Sequence, residues 1–94
     1  MFEGELNLMR EKIRFRQYVM TIHADEEMDD DNLTIFNVEN AILTGSIFER
    51  QKDIGTAESK YLVRGKTVDE IDTIVVVSKF GFTGNLIIIT VYVD

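Results

Sequence analysis

From Ser46 onward the chain alternates short apolar runs with connections too brief to carry it across a sheet. "SIFERQ", "KYLVRGKT", "DTIVVVSKF" and "LIIITVYV" are dense in β-branched, aromatic and other apolar residues and read as four strands. The links between them, "KDIGTAES", "VDEI" and "GFTGN", fall well below the dozen or so residues that a parallel crossover requires. Strands joined by links this short pair with their neighbours in antiparallel fashion. Residues 46–93 are therefore expected to form an antiparallel meander.

The first half of the chain follows another period. Phe2, Leu6, Met9 and Ile13 recur at helical spacing, which predicts a helix over residues 2–14. "RQYVMTIH" alternates Tyr18, Met20 and Ile22 with Val19 and Thr21, which predicts a strand over 17–22. A second helix is expected over 34–44, with Thr34 as N-cap and Ile35, Val38 and Ile42 along one face. Gly45 is expected to end that helix in a left-handed conformation. The acidic segment between them reads as a short helix or turn, with Ala24 and Met28 facing inward. The resulting expectation is an α+β fold in a single domain, 1–94. Two or three N-terminal helices would pack on a four- to five-stranded, mainly antiparallel sheet. A chain of 94 residues has no room for a second core.

The last two strands are apolar on both sides. In β-alternation Val75 and Val77 oppose Ile74, Val76 and Phe80, while Leu86, Ile88 and Tyr92 oppose Ile87, Ile89, Val91 and Val93. Antiparallel sheets usually leave one face polar. Two helices cannot cover both faces of such a sheet. Either the sheet curls strongly, or a homodimer or cognate protein partner packs on the remaining apolar sheet face, and the second is the favoured expectation.

The net charge of −7 argues against a general polyanion binder. The acidity is local, however, because "HADEEMDDDN" holds Asp25, Glu26, Glu27, Asp29, Asp30 and Asp31. Elsewhere eleven acids meet ten bases. There is no cysteine, so disulfides, cysteine-ligated zinc and thiol nucleophiles are excluded. "MFEGELNLMREKIRFRQ" lacks the apolar run of a signal peptide, and "NLIIITVYV" is far short of the ~20 residues of a membrane helix. A cytoplasmic location, away from the membrane, is expected.

Candidate chemistry is sparse. An EF-hand loop starting at Asp29 would place Thr34 where glycine is required and Asn40 where glutamate is required, and a start at Asp25 fails as well. One histidine gives zinc too few nitrogen ligands. No metal and no cofactor are expected. No nucleophile elbow, zinc-protease helix or phosphate-binding glycine loop is present. A metal-independent ribonuclease asks for less: a base, cations to stabilise the phosphorane, and rings on which bases stack. His23, Arg64 and Lys66 are the candidates for catalysis, and Tyr61, Lys79 and Tyr92 for RNA binding. The plainer reading makes His23 a structural residue at a strand end and the bases solvent-facing.

"TIHADEEMDDDNLTIFNVENAIL" resembles the opening of a family of small uncharacterised bacterial domains, T-x-H-A-x-x-R-M-x-x-R-x-I-[ST]-x-x-[DN]-V-x-x-A-[IL]. Thr21, His23, Ala24, Met28, Leu33, Thr34, Asn37, Val38, Ala41 and Ile42 fall on that pattern. "KYLVRGKT" and "LIIITVYVD" resemble its later K-Y-x-V-x-G-x-T and I-I-T-V-Y-x-x-D strands. Those domains are similar to the RelE and BrnT toxins. The resemblance implies a toxin-like fold, a possible messenger-RNA substrate and a protein partner that silences it. Two departures are charge reversals: Glu27 and Asp31 stand where the pattern has arginine. The position before V-V-V, often histidine in such domains, is held by Ile74 or its neighbour Thr73. A carboxylate cannot hold a phosphate as arginine does. The leading expectation is thus a non-catalytic domain acting by protein–protein contact or homodimerisation. Its alternatives are a ribonuclease of the toxin type and an acidic mimic of nucleic acid using Asp25 to Asp31.

Overall fold

A computed structural model describes residues 1–94. In chain order the elements are α1 (Glu3–Arg14), β1 (Tyr18–Met20), α2 (Ile22–Asp30), α3 (Ile35–Thr44), β2 (Ser46–Lys52), β3 (Ser59–Lys66), β4 (Thr73–Phe80) and β5 (Leu86–Val93). The strands form one mixed sheet in the order β1-β5-β4-β3-β2. β2 to β5 make the antiparallel meander, and β1 joins the outer edge of β5 in parallel, with Tyr18 opposite Leu86 and Met20 opposite Ile88. The fold is α+β.

One apolar core lies between the helices and one face of the sheet. Met9 and Ile13 of α1, Ala24 and Met28 of α2, and Val38, Ala41 and Ile42 of α3 enter it from above. Val63, Ile74, Val76, Leu86, Ile88 and Val91 meet them from the strands.

Three local features depart from the simple reading. The strand expected over 17–22 is confined to Tyr18–Met20, because Thr21 turns the chain into a helix. Its hydroxyl oxygen accepts from the Ala24 N–H at 3.1 Å and donates to the Ile89 carbonyl at 3.0 Å. One side chain therefore caps α2 and fastens it to β5. His23 consequently sits in the first turn of a helix rather than at a strand end.

Gly45 is not left-handed. It is extended, with φ −89° and ψ −158°. What glycine provides here is closeness. A Cβ at Gly45 would collide with the carbonyl oxygens of Arg64 and Ala41, and one at Gly65 would lie 2.6 Å from the Ala41 Cα. α3 thus rests on β3 with backbone against backbone. Its C-terminal carbonyls are met by a residue from another helix. Arg10 Nε donates to the Ile42 carbonyl at 3.1 Å and Nη2 to the Gly45 carbonyl at 2.8 Å. The last turn of α3 holds no base of its own, so α1 supplies the positive charge that a helix C-terminus favours.

Alternation in β5 breaks at Ile89. Ser78 pairs with Ile88 but Val77 pairs with Thr90, leaving Ile89 as an extra residue in a β-bulge. Side-chain parity therefore shifts by one. Leu86, Ile88 and Val91 face the helices, and Tyr92 faces away.

Gly65→Ala is expected to destabilise the fold by about 3 kcal/mol or more, since the backbone contact leaves no room to relax. Gly4→Ala, in open space on α1, is expected to stabilise it by roughly 0.5–1 kcal/mol. Urea denaturation midpoints of the two variants should move in opposite directions.

Candidate functional site

The face of the sheet turned away from the helices carries most of the residues to which function could be assigned. Leu62, Arg64 and Lys66 on β3, Val75, Val77 and Lys79 on β4, and Ile87, Thr90 and Tyr92 on β5 share it by register. No helix lies on this face, yet Val75 is fully buried and Leu62 nearly so. Val75 is flanked across the sheet by Arg64 on β3 and Tyr92 on β5. The long side chains of its neighbours close over it.

Arg64 is held in place. Its Nε donates to Asp94 Oδ2 at 2.9 Å, and its guanidinium lies 4.0 Å from the centre of the Phe48 ring. Stacking on the ring and the carboxylate together fix the plane of the guanidinium. Lys79 Nζ donates to Glu58 Oε2 at 3.1 Å. Lys66 is exposed at the end of β3. Arg64, Lys66, Lys79 and Tyr92 are thus brought to one surface.

His23 and Tyr61 are not. Tyr61 lies on the helix side, edge-on to Phe2 at 6.3 Å and to Phe80 at 5.9 Å. Alternation along β3 sets it with Val63 and Gly65, opposite Arg64 and Lys66. The His23 side chain is 66% exposed, on α2 beside the outer edge of β5. Arg64 lies on β3, two strands further in and so about 10 Å from β5 at backbone level. The imidazole Nε2 is instead 3.3 Å from Glu27 Oε1.

That carboxylate was the residue the sequence hid. Glu27 Oε1 also accepts from the Val91 N–H at 3.1 Å. β1 covers β5 only as far as Ile88, so Val91 would otherwise present an unpaired donor at the sheet edge. Glu27 stands in for the carbonyl of a missing strand. An arginine at this position could not accept that hydrogen bond. The other acids of the segment, Asp25, Glu26, Asp29, Asp30 and Asp31, project to solvent. No three carboxylate or imidazole groups converge closely enough to hold a metal ion.

One titrating group is strongly displaced. The Tyr18 hydroxyl donates to Glu39 Oε2 at 2.5 Å, joining β1 to α3. Burial, and then the hydrogen bond and negative charge of Glu39, push its pKa up from 10.0 to about 12. The folded state therefore keeps the phenol proton after the unfolded chain has lost it. The contribution is complete below pH 10 and is lost as pH rises from there towards about 12.

Wild-type stability is expected to fall more steeply over that alkaline interval than that of Tyr18→Phe, as read from denaturant midpoints against pH. At neutral pH, Glu27→Ala is expected to cost about 1–3 kcal/mol through the orphaned Val91 N–H. Glu27→Gln, which keeps an acceptor oxygen, is expected to cost less.

No curated protein and no solved structure matches this chain. A family model does match it, over residues 20–93. That span begins in β1 and ends in β5, so it includes the His23–Glu27 helix, the whole meander and the open face, and leaves α1 outside. The chain belongs to the family described as a domain of unknown function, DUF4258.

Proposed function

We propose that this domain acts by protein–protein contact through the open face of its sheet, with a second copy of the chain as the first partner to test. The observation that carries the proposal is an apolar surface without a helix over it. Val77 on β4 and Ile87 and Tyr92 on the adjacent β5 stay accessible there, beside Leu62 and Val75, which their neighbours' side chains cover. Contiguous apolar surface of this kind marks interaction sites in monomer-sized domains. The motif likeness to RelE and BrnT toxins supports the same reading, since toxins of that group are held silent by a protein partner.

Ribonuclease chemistry is the less supported alternative. Its candidate base, His23, is at the edge of β5 and engaged with Glu27, while Arg64 is committed to Asp94 and Phe48. Stacking by Tyr61 is unavailable on the face that holds Lys79 and Tyr92. A phosphate arriving on that face would meet Arg64 and Lys79 already paired with carboxylates, Lys66 alone unpaired, and no histidine to act as base.

Sedimentation velocity on the purified chain is expected to give a dimer at micromolar concentration. Val77→Asp, which places a charge in the middle of the face, is expected to give a folded monomer. A wild-type monomer throughout that range would exclude the second copy as the partner. Messenger RNA incubated with the protein without added metal is expected to stay intact. Cleavage that disappears in Arg64→Ala and His23→Ala would replace contact with catalysis.

A further inference from the structure

Two turns and a helix end meet at one end of the molecule. The β2–β3 pairing closes at Lys52 and Ser59 and the β4–β5 pairing at Phe80 and Leu86, so both turns project the same way. A cleft of about 260 Å³ lies between them, lined in part by Glu58, Lys79, Phe82 and Ile87. At the turns themselves Ile54 and Phe82 are fully exposed. The junction of α1 and β1 reaches the same end. The Leu86 N–H donates to the Gln17 carbonyl at 3.0 Å, and Lys12 Nζ lies 3.8 Å from where a Cβ on Gly84 would stand. Phe15 in this junction is 67% exposed.

The charges around these apolar tips have one prevailing sign. Lys12, Arg14, Arg16, Lys52, Lys60 and Lys79 belong to the ends of the elements that meet here. Glu11, Asp53 and Glu58 are acids among them, joined by Glu3 and Glu5 at the start of α1, where Phe2 packs on Tyr61 beneath Arg50. Glu58 is held by Lys79, Glu3 by the N-terminal ammonium, and Asp53 accepts from the Gly55 N–H. The opposite end collects the acids Asp29 to Asp31 at the close of α2, Asp69, Glu70 and Asp72 in the β3–β4 turn, and Asp94. The molecule is 35 Å long. Charges separated by several Debye lengths of about 8 Å scarcely feel one another in physiological salt, so the net −7 does not cancel this basic end.

We propose that the turn end is a membrane-facing surface that docks on an anionic lipid bilayer. Ile54 and Phe82 would enter the boundary between headgroups and acyl chains, while Lys12, Arg14, Arg16, Lys52 and Lys60 meet lipid phosphates. Apolar side chains on the tips of separate turns offer no flat patch to a folded partner. They suit a deformable medium, and the surrounding cations suit the negative cytoplasmic leaflet. This surface lies at the end of the sheet and borders the open face at Lys79 and Ile87, while Ile54 and Phe82 at its tips lie outside the open-face contact.

The test is co-sedimentation of the full chain with vesicles of phosphatidylcholine alone and of phosphatidylcholine mixed with phosphatidylglycerol. Binding is expected to the mixed vesicles only, and to be released by high salt. The double variant Ile54→Asp, Phe82→Asp is expected to bind roughly tenfold more weakly or worse, from the loss of two inserted apolar side chains. Lys52→Glu with Lys60→Glu should weaken it as well, while Val77→Asp on the open face should leave it unchanged. All these positions tolerate charge without entering the helix-side core, and matching melting curves would establish that each variant is folded. Failure of the wild type to bind mixed vesicles would overturn the proposal. So would undiminished binding by the Ile54→Asp, Phe82→Asp variant.

Discussion

The bare contact of Ala41 with Gly65 sets the spacing on which the helical layer depends. A helix normally stands off a sheet by the length of the side chains between them. Here the backbone of α3 touches β3 directly, because neither Gly45 nor Gly65 carries a Cβ at the point of closest approach. Val38 and Ile42 on the same helix are thereby driven into full burial against the strands. The arrangement is fastened at both ends of α3. Near its start, Asn37 Oδ1 accepts from the Val68 N–H at 2.9 Å and Asn40 Nδ2 donates to the Lys66 carbonyl at 3.0 Å. At its close Arg10 binds the last carbonyls and draws α1 down beside it. A methyl group at Gly65 would thus disturb α1 and α3 together, along with the strand beneath.

With the helices gathered on one face, the sheet must still manage its edges, where unpaired N–H and carbonyl groups invite further strands. The two edges are handled differently. β5 is shielded by three residues of β1 and then by the Glu27 carboxylate, which satisfies one edge donor without extending the sheet. β2 is left uncovered, but it is interrupted by an irregular register at Phe48 and carries Glu49, Arg50 and Lys52. Charge and irregularity both discourage pairing there. Neither edge therefore invites a further strand, which leaves the open face for the contact proposed above.

Much of this was legible in the residues. Helical spacing of Met9 with Ile13 and of Val38 with Ile42 marked their buried faces, and strict alternation in β4 separated Ile74 and Val76 from Val75 and Val77. What the residues did not disclose depends on distant partners or on one-residue irregularities. Nothing local to "LIIITVYV" announces the bulge at Ile89, yet it reverses the assignments of Val91 and Tyr92. Gly45 was identifiable as a helix terminator, but its reason is a carbonyl of β3 that only the fold brings near. His23 and Glu27 stand at i, i+4, a spacing that would have suggested their contact had the segment been read as helix throughout. The Val91 N–H that Glu27 accepts lies 64 positions away from it and could not have been found from spacing.

The open face also shows why residue types alone overstate catalytic promise. Arg64, Lys79 and Tyr92 are the ingredients of a phosphate- and base-binding surface, and they do share one side of the sheet. Arg64, however, already has a carboxylate at 2.9 Å and a ring beneath it, and Lys79 has a carboxylate at 3.1 Å. A phosphate would have to displace these acids or sit beside them, against their charge, before any chemistry began. The same pairings suit a surface that meets another protein. They neutralise the cations in place, keep their long side chains extended over Val75 and Leu62, and leave apolar area bordered by fixed charge. The pairing of each base is therefore more informative about this face than the presence of the base.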